Sequence, residues 1–254
     1  MQANQHREPI FSAATTNESK LPPLGFVAVE VNILRPPGDP FNERTWPFPL
    51  IREKMSGSTE SQIVTRDGYD SDFIDRFVDA SLRLAERGAV GIITSCGFLA
   101  MAQQQIAERV PIPIATSALI QIPLLRALLP ASKAIGVLTY DGDRLGEKHL
   151  LALGIVPANV HIRGCPANGH LRHVIQDGGE YNAATMEEEL ISEASELIKQ
   201  HPSIRALVLE CTQMPPYAKA IQERIGLPVY DVYTMGMWFY SGLSRSQPEC
   251  WTMI

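Results

Sequence analysis

Two residues of this 254-residue chain are placed to do chemistry: Cys96 and Cys211. Each closely follows a short apolar run, Ala89 to Thr94 for the first and Ala206 to Leu209 for the second. A thiol whose pKa is brought toward working pH can act as a base when ionised and as an acid when protonated. Residues that open a helix offer unpaired backbone N–H groups and a positive dipole end. Both favour a thiolate and can hold a carboxylate. Gly97 and Phe98 stand there after Cys96, and Thr212 and Gln213 after Cys211. Gly97 lets a ligand come close to the backbone, and Thr212 adds a hydroxyl donor. The other cysteines, Cys165 and Cys250, lack such a placement and read as small apolar residues. None of the four forms a C-x-x-C pair, so free thiols in a reducing compartment are expected.

The two thiols share a register. Cys211 lies 115 residues after Cys96 (211 − 96), and the same offset carries Glu108-Arg109 onto Glu223-Arg224, Pro113 onto Pro228 and Thr116 onto Asp231. Gly25 and Gly136 correspond at an offset of 111 (136 − 25). This is the mark of an internal duplication. Two equivalent thiols facing one ligand suit inversion of a carbon acid: one removes a proton from one face, and the other returns a proton to the opposite face. The sulfurs are then expected roughly 7–8 Å apart, about two proton-transfer contacts, with no disulfide between them in the active state.

The elements that must position these residues follow from the apolar pattern. Leu24 to Val31 reads as a strand and Asp72 to Arg87 as a helix, with Phe73, Phe77, Ala80 and Leu84 at helical spacing and Gly88 closing it. Ala89 to Thr94 is a buried strand, Gln103 to Arg109 a helix and Ile112 to Ala115 a strand. The pattern restarts with a strand at Ala134 to Thr139, a long helix over Met186 to Gln200 and a strand at Ala206 to Leu209. Alternating strands and helices predict an α/β fold of two pseudo-symmetric halves with mainly parallel sheets. The cysteines then sit at carboxyl ends of strands, where open α/β sheets bind ligands, in the cleft between the halves. Residues 1–22 read as a flexible extension. The first half is assigned 23–132 plus a C-terminal segment from about 229 to 254, and the second 133–228.

Composition narrows the function. A net charge of −6, with no run of Lys or Arg, argues against a nucleic-acid or membrane-surface partner. No apolar stretch is long enough to span a bilayer, and residues 1–20 lack the apolar core of a secretory signal, so a cytoplasmic protein with a small-molecule partner is expected. There is no phosphate-binding loop, no dinucleotide fingerprint and no nucleophile elbow. His170 and His173 have H-x-x-H spacing but fall in what reads as a Gly/Pro-rich loop without nearby carboxylates, so no metal site is expected there.

Thr94-Ser95-Cys96-Gly97-Phe98 and Glu210-Cys211-Thr212-Gln213 resemble the two catalytic cysteine motifs of the aspartate/glutamate/hydantoin racemase superfamily. The loop from Pro37 to Pro49 also resembles a segment found in members of that superfamily. The resemblance covers about residues 24 to 240. It implies two α/β domains with the active site between them, no pyridoxal phosphate or metal, and a homodimer as a family-level expectation. It also implies a racemase or epimerase of an amino acid, a hydantoin or a related carbon acid, with catalytic Cys96 and Cys211. Substrate contacts are then expected from Asn32, Gly97, Phe98, Thr139, Tyr140, Thr212 and Gln213. The first motif reads Cys-Gly-Phe where the amino-acid racemases usually have Cys-Asn-Thr. Gln213 stands where glutamate racemases often have His, and Glu210 where many relatives have Gly. Arylmalonate decarboxylases keep only the second cysteine, so Cys96 argues against that reaction.

Other readings of the same residues are a maleate-type cis–trans isomerase, which also uses two cysteines, and a catalytically silent small-molecule sensor. Thr116 and Asp231, near strand ends, are candidates for ligand contact. The Pro-rich loop from Pro36 to Pro49 reads as a lid, with Trp46 and Phe48 as apolar cover.

Overall fold

A computed structural model describes residues 21–246. The first half contains β1 (Leu24–Val29), β2 (Leu50–Met55), α1 (Glu60–Ile63), α2 (Ser71–Glu86), β3 (Ile92–Thr94), α3 (Gln103–Ala107), β4 (Ile114–Ala115) and α4 (Ile122–Leu128). The second contains β5 (Ala134–Thr139), α5 (Glu147–Ala152), β6 (Val160–Gly164), α6 (His170–Asp177), α7 (Ala183–Gln200), β7 (Ile204–Leu209), α8 (Ala218–Ile225) and β8 (Val229–Tyr230), and the final helix α9 (Val232–Leu243) packs on the first. Two four-stranded parallel sheets result, ordered β2-β1-β3-β4 and β6-β5-β7-β8. The fold is the α/β arrangement of two like halves that the strand–helix alternation predicts.

The duplication is visible in the pairing register. Gly25 pairs with Ile92 in the first sheet, and Gly136 with Leu207 in the second, at offsets of 111 and 115. Ile92 pairs with Ile114, and Leu207 with Val229, both at an offset of 115. Just beyond the β3 and β7 ladders, the Ser95 N–H donates to Val27 and the Glu210 N–H donates to Leu138, again equivalent bonds. Cys96 and Cys211 therefore leave their sheets from equivalent positions.

β1 shows why the central strands read as continuous apolar runs. Val27 and Val29 join the main core, whereas Leu24, Phe26 and Ala28 face a second cluster formed with α9 residues Val232, Met235 and Tyr240. A parallel strand covered on both faces has no polar side to alternate with. α2 covers the first face with Phe73, Phe77 and Leu84. It starts where the Asp70 carboxylate accepts the Phe73 N–H at 2.7 Å and ends before Gly88, whose φ of 87° suits glycine. Burial of each such large apolar side chain contributes about 1.5–3 kcal/mol. β8 adds to the second sheet, and α9 then returns the chain onto the first.

Several elements differ from the sequence pattern. β1 ends at Val29, and β3 is confined to Ile92–Thr94. The strand β2 replaces an unassigned stretch, and its charged, half-exposed residues give it no buried apolar signature. His170 and His173 lie in helix α6, not in a loop, and carboxylates are close by. Glu189 accepts the His170 and Leu171 N–H groups at the helix start, and His173 Nδ1 is 3.0 Å from Asp177. His170 Nε2 accepts from the Asn182 N–H at 3.0 Å. These imidazoles and carboxylates serve the helix ends, which the glycines around them concealed in the sequence.

The lid reading of the Pro-rich loop is also corrected. Trp46 and Phe48 are buried in the α9 cluster, away from the thiols: Trp46 stacks on Phe48 at 5.3 Å, and Phe48 stacks on Tyr240 at 3.7 Å. The Trp46 indole N–H donates to the Pro40 carbonyl at 2.8 Å. The aromatic pair fastens the loop instead of covering the cleft.

Candidate active site

Cys96 and Cys211 line one cleft between the halves, with about 490 Å³ of atom-free space when its open mouth is included. Its enclosed part is small, about 50 Å³. Its walls are largely aliphatic, from Val29 at the end of β1, Val31 and Ile33 after it, Ile63 and Val64 at α1, and Ile175 of α6. Gly97, Phe98, Tyr140, Thr212 and Gln213 line the same cleft. Asn32 and Thr139 do not. β1 stops three residues before Asn32, which points out to solvent, and Thr139 is buried with its hydroxyl bound 2.6 Å from Glu210.

Thr116 and Asp231 do not line this cleft. Thr116 donates its N–H and its hydroxyl to Gln103 Oε1 at 2.9 and 2.8 Å, and Asp231 caps α9 by accepting the Thr234 N–H at 2.9 Å. Cys165 is buried in the main core, and Cys250 lies outside the described residues.

The halves meet through the residues flanking the thiols. Thr212 donates its hydroxyl to the Ser95 carbonyl at 2.7 Å. Under the pseudo-twofold the matching contact is Gly97 against Glu210, and a β-carbon on Gly97 would lie 2.3 Å from Glu210 Oε1. Gly97 is needed because a side chain from the other half fills its flank, not because a ligand approaches it there. On the far wall, the buried Asp39 carboxylate holds Arg35 at 3.3 Å, accepts the Phe41 N–H at 2.7 Å and accepts from the Gln213 amide. This chain of contacts seats Arg35 at the cleft and ties the Pro-rich loop to the second cysteine motif.

Both thiols are shifted above the ordinary cysteine range. The Phe98 N–H, at the start of the 3-10 helix Gly97–Ala102, lowers the Cys96 pKa, and the Gln213 N–H lowers that of Cys211 from a turn, since the expected helix start at Thr212 and Gln213 is displaced to Pro215. Burial and then the Glu210 carboxylate outweigh them, and both thiols are pushed up. Desolvation of the charge thus outweighs the backbone N–H that faces each sulfur. Glu210 is itself pushed up to about 7, chiefly by burial, despite donors from Thr139, Tyr140 and Gly97.

Among the described residues, Tyr140 Oη and Glu60 Oε1 at the cleft make no well-formed hydrogen bond, although the two groups are neighbours and Glu60 Oε1 lies 3.6 Å from Arg144. Tyr140 is buried, its ring lies under the Arg172 guanidinium at 5.0 Å, and burial followed by the Glu60 charge keeps its hydroxyl protonated. Buried orphans of this kind cost about 1–3 kcal/mol each unless a ligand or water satisfies them. Glu60, Arg35 and Ile175 were not picked out in the sequence, because no periodic or motif signal marks them as neighbours of the thiols. Phe98, fully buried, meets the His149 ring edge-on at 5.2 Å; burial lowers the His149 pKa to about 4, so this imidazole packs as a neutral ring.

Solved structures share this architecture. A single-site variant of arylmalonate decarboxylase with associated sulfate superposes at a TM-score of 0.59, with 20% identity over 89% of this chain and 97% of that one. A glutamate racemase isoform from Bacillus anthracis superposes at 0.52, with 13% identity over 86% and 81%. The chain has the fold of the aspartate/glutamate/hydantoin racemase superfamily. No protein-family model matches the chain.

Within this superfamily fold, the curated sequences that match are lyases. Dimethylsulfoniopropionate lyase 5 of Emiliania huxleyi is 28% identical over 223 residues, covering 84% of this chain and 44% of that protein. The dimethylsulfoniopropionate lyase of Durusdinium sp. clade D is 26% identical over 226 residues, covering 86% and 74%. The chain therefore spans less than half of the first of these relatives.

Proposed function

We propose that this chain is a cofactor-independent carbon-acid enzyme in which Cys96 and Cys211 move protons at the carbon beside a carboxylate, and that its reaction is a lyase-type β-elimination from dimethylsulfoniopropionate or a close analogue. The observation that carries this reading is the pair of thiols at equivalent strand ends of one largely apolar cleft. The names of the curated relatives favour elimination over inversion as the outcome.

The chemistry fits the groups available. A thiolate takes the proton from the α-carbon, and that C–H electron pair becomes the new C=C bond. The bond from the β-carbon to sulfur breaks with its electrons on the leaving group, giving neutral dimethyl sulfide and acrylate. The Arg35 guanidinium and the Tyr140 hydroxyl, which makes no well-formed hydrogen bond in the fold, are the donors for the substrate carboxylate. The Glu60 carboxylate gives the sulfonium end a counter-charge. Aliphatic walls exclude water and strengthen each of these contacts.

Racemisation or epimerisation, the reaction implied by the sequence resemblance, begins with the same abstraction and remains the second reading. It is favoured by the equivalent placement of two thiols, since elimination needs one base. A single experiment separates the two. The enzyme is incubated with dimethylsulfoniopropionate, and separately with a panel of chiral amino acids and hydantoins, in D₂O. Release of dimethyl sulfide into the headspace with acrylate in the NMR spectrum is the expected result. Deuterium uptake at the α-carbon of the chiral compounds with no elimination would replace the lyase by the racemase.

A further inference from the structure

The charges on the wall of the cleft are unevenly placed. Among the described residues, Arg35 is its one cation. Arg35 stands beside the second cysteine motif, where the buried Asp39 carboxylate, itself bound to Gln213, already pairs with it at 3.3 Å. Its guanidinium lies 5.3 Å from the centre of the Phe41 ring, and its carbonyl accepts from the Asn42 amide at 2.8 Å. Side chain and backbone are both fixed. Two carboxylates share the wall, Glu60 and Glu210. Glu210 is turned into the fold, against the Thr139 hydroxyl and the flank of Gly97.

Glu60 opens α1 and lines more than the cleft. It also borders an open groove that shares Val31 and Ile175 with the cleft, and there Glu30 and Asp177 join it. No lysine or arginine lines this groove among the described residues. The cations nearest these carboxylates lie outside both linings: Lys54 is 3.7 Å from Glu30, and Arg144 is 3.6 Å from Glu60. His173 is 3.0 Å from Asp177. Arg144 is shared with the buried Asp141 at 3.4 Å, and Asp141 also takes Arg172 at 3.1 Å. Glu60 Oε1 and the neighbouring Tyr140 Oη are both buried without a well-formed hydrogen bond. Tyr140 is only 3% exposed, so its hydroxyl borders the cleft with no good partner in the fold.

We propose that Glu60 sets the specificity of the cleft: it selects monocarboxylates that carry a cation at the far end and rejects dicarboxylates. A substrate carboxylate on Arg35 uses the one cation that the wall offers. A second carboxylate would then meet Glu60, with Glu30 and Asp177 beyond it and no positive side chain facing it. A cationic end meets the same groups with the opposite sign. Apolar walls lower the local dielectric and strengthen both effects. Placing like charges together is a general way for a site to refuse a wrong partner. The glutamate racemase and arylmalonate decarboxylase that share this fold are named for acids with two carboxylates. Glu60 sets this chain apart from them. The inference deepens the proposed function, on which it rests for the place of the substrate carboxylate, by assigning the substrate class of the same cleft.

Three probes without a sulfonium leaving group test it. All share the chain –CH₂–CH₂–COO⁻ and differ at the far end. N,N-dimethyl-β-alanine ends in a dimethylammonium, isocaproate in an uncharged CH(CH₃)₂ group, and succinate in a second carboxylate. Their dissociation constants from the full chain are measured by calorimetric titration at neutral pH. The cationic probe is expected to bind tightest and succinate weakest, with each change of charge worth about tenfold or more. Glu60→Gln should erase most of the gap between the cationic and uncharged probes, and Glu60→Lys should put succinate first. Succinate binding the wild type as tightly as the cationic probe, no binding of the cationic probe, or a ranking that survives Glu60→Gln overturns the proposal. The wild-type ranking needs no variant, so the test does not depend on how the substitutions fold. The two readings also fail separately. The expected ranking without dimethyl sulfide release from dimethylsulfoniopropionate keeps the selectivity and removes the lyase. Release with a different ranking keeps the lyase and removes the role of Glu60.

Discussion

A β-carbon on Gly97 would sit 2.3 Å from the Glu210 carboxylate oxygen, so the backbone after the first thiol and the side chain before the second occupy one another's space. Gly97→Ala must push Glu210 aside or shift the strand end. Overpacking of this kind costs about 1–3 kcal/mol. Urea unfolding is expected to show that loss, and the double variant Gly97→Ala with Glu210→Ser should recover part of it.

Cys96→Ser and Cys211→Ser separate the work of the thiols. A serine hydroxyl is close in size but a far weaker acid, so little base is available. Loss of one positioned proton-transfer group is expected to lower kcat by about 10²–10⁴-fold. If one variant alone loses dimethyl sulfide release, that cysteine is the base for elimination. If both lose it equally, the second thiol is required as well, as in the two-base scheme.

Tyr140→Phe removes a hydroxyl that makes no well-formed hydrogen bond in the fold. Stability should hold or rise by up to about 1 kcal/mol, because an unsatisfied buried group is deleted. Substrate binding should weaken, seen as a higher KM. A loss of stability with an unchanged KM would place the hydroxyl in the fold instead of the site.

The stability of the protein should carry the titration of Glu210. Burial raises its pKa from 4.5 to about 7, so the folded state favours the protonated acid. That contribution is fully present below about pH 4.5 and is lost as pH rises toward 7, where the buried charge must form. Compared with Glu210→Gln, the wild type should lose up to roughly 3 kcal/mol across this window and stay level above it. Unfolding curves of both proteins at several pH values between 4 and 8 check the sign.

Trp46→Ala tests the corrected role of the Pro-rich loop. The indole packs against Phe48, Tyr233 and Gly236, and emptying that space should cost about 3–5 kcal/mol. KM should change little where the protein remains folded. Asp39→Ala should do the reverse, raising KM by releasing Arg35 and Gln213 at the cleft.

Much of this was legible in the sequence, because it depends on local pattern. Apolar runs gave the central strands, helical spacing gave α2 and α7, and the 115-residue offset that joins Cys96 to Cys211 recurs in the Ile92–Ile114 and Leu207–Val229 pairings. A duplicated chain repeats its hydrogen-bond register, so equivalent cysteines must leave equivalent strands. The edge strand β2 and helix α6 escaped, since charged and glycine-flanked segments carry little periodic signal.

What only the tertiary structure decided is the electrostatic state of the site. Nothing in the spacing of Glu210 says that its side chain crosses to Gly97, that Asp39 holds Arg35 and Gln213, or that Glu60 and Ile175 border the same cleft. The sequence motif pointed to backbone donors at each thiol, and burial in the folded protein outweighs them. A backbone N–H acts over one contact and can be read from neighbours in the chain. Burial and the field of a carboxylate depend on what packs from elsewhere, and here they outweigh the local donors.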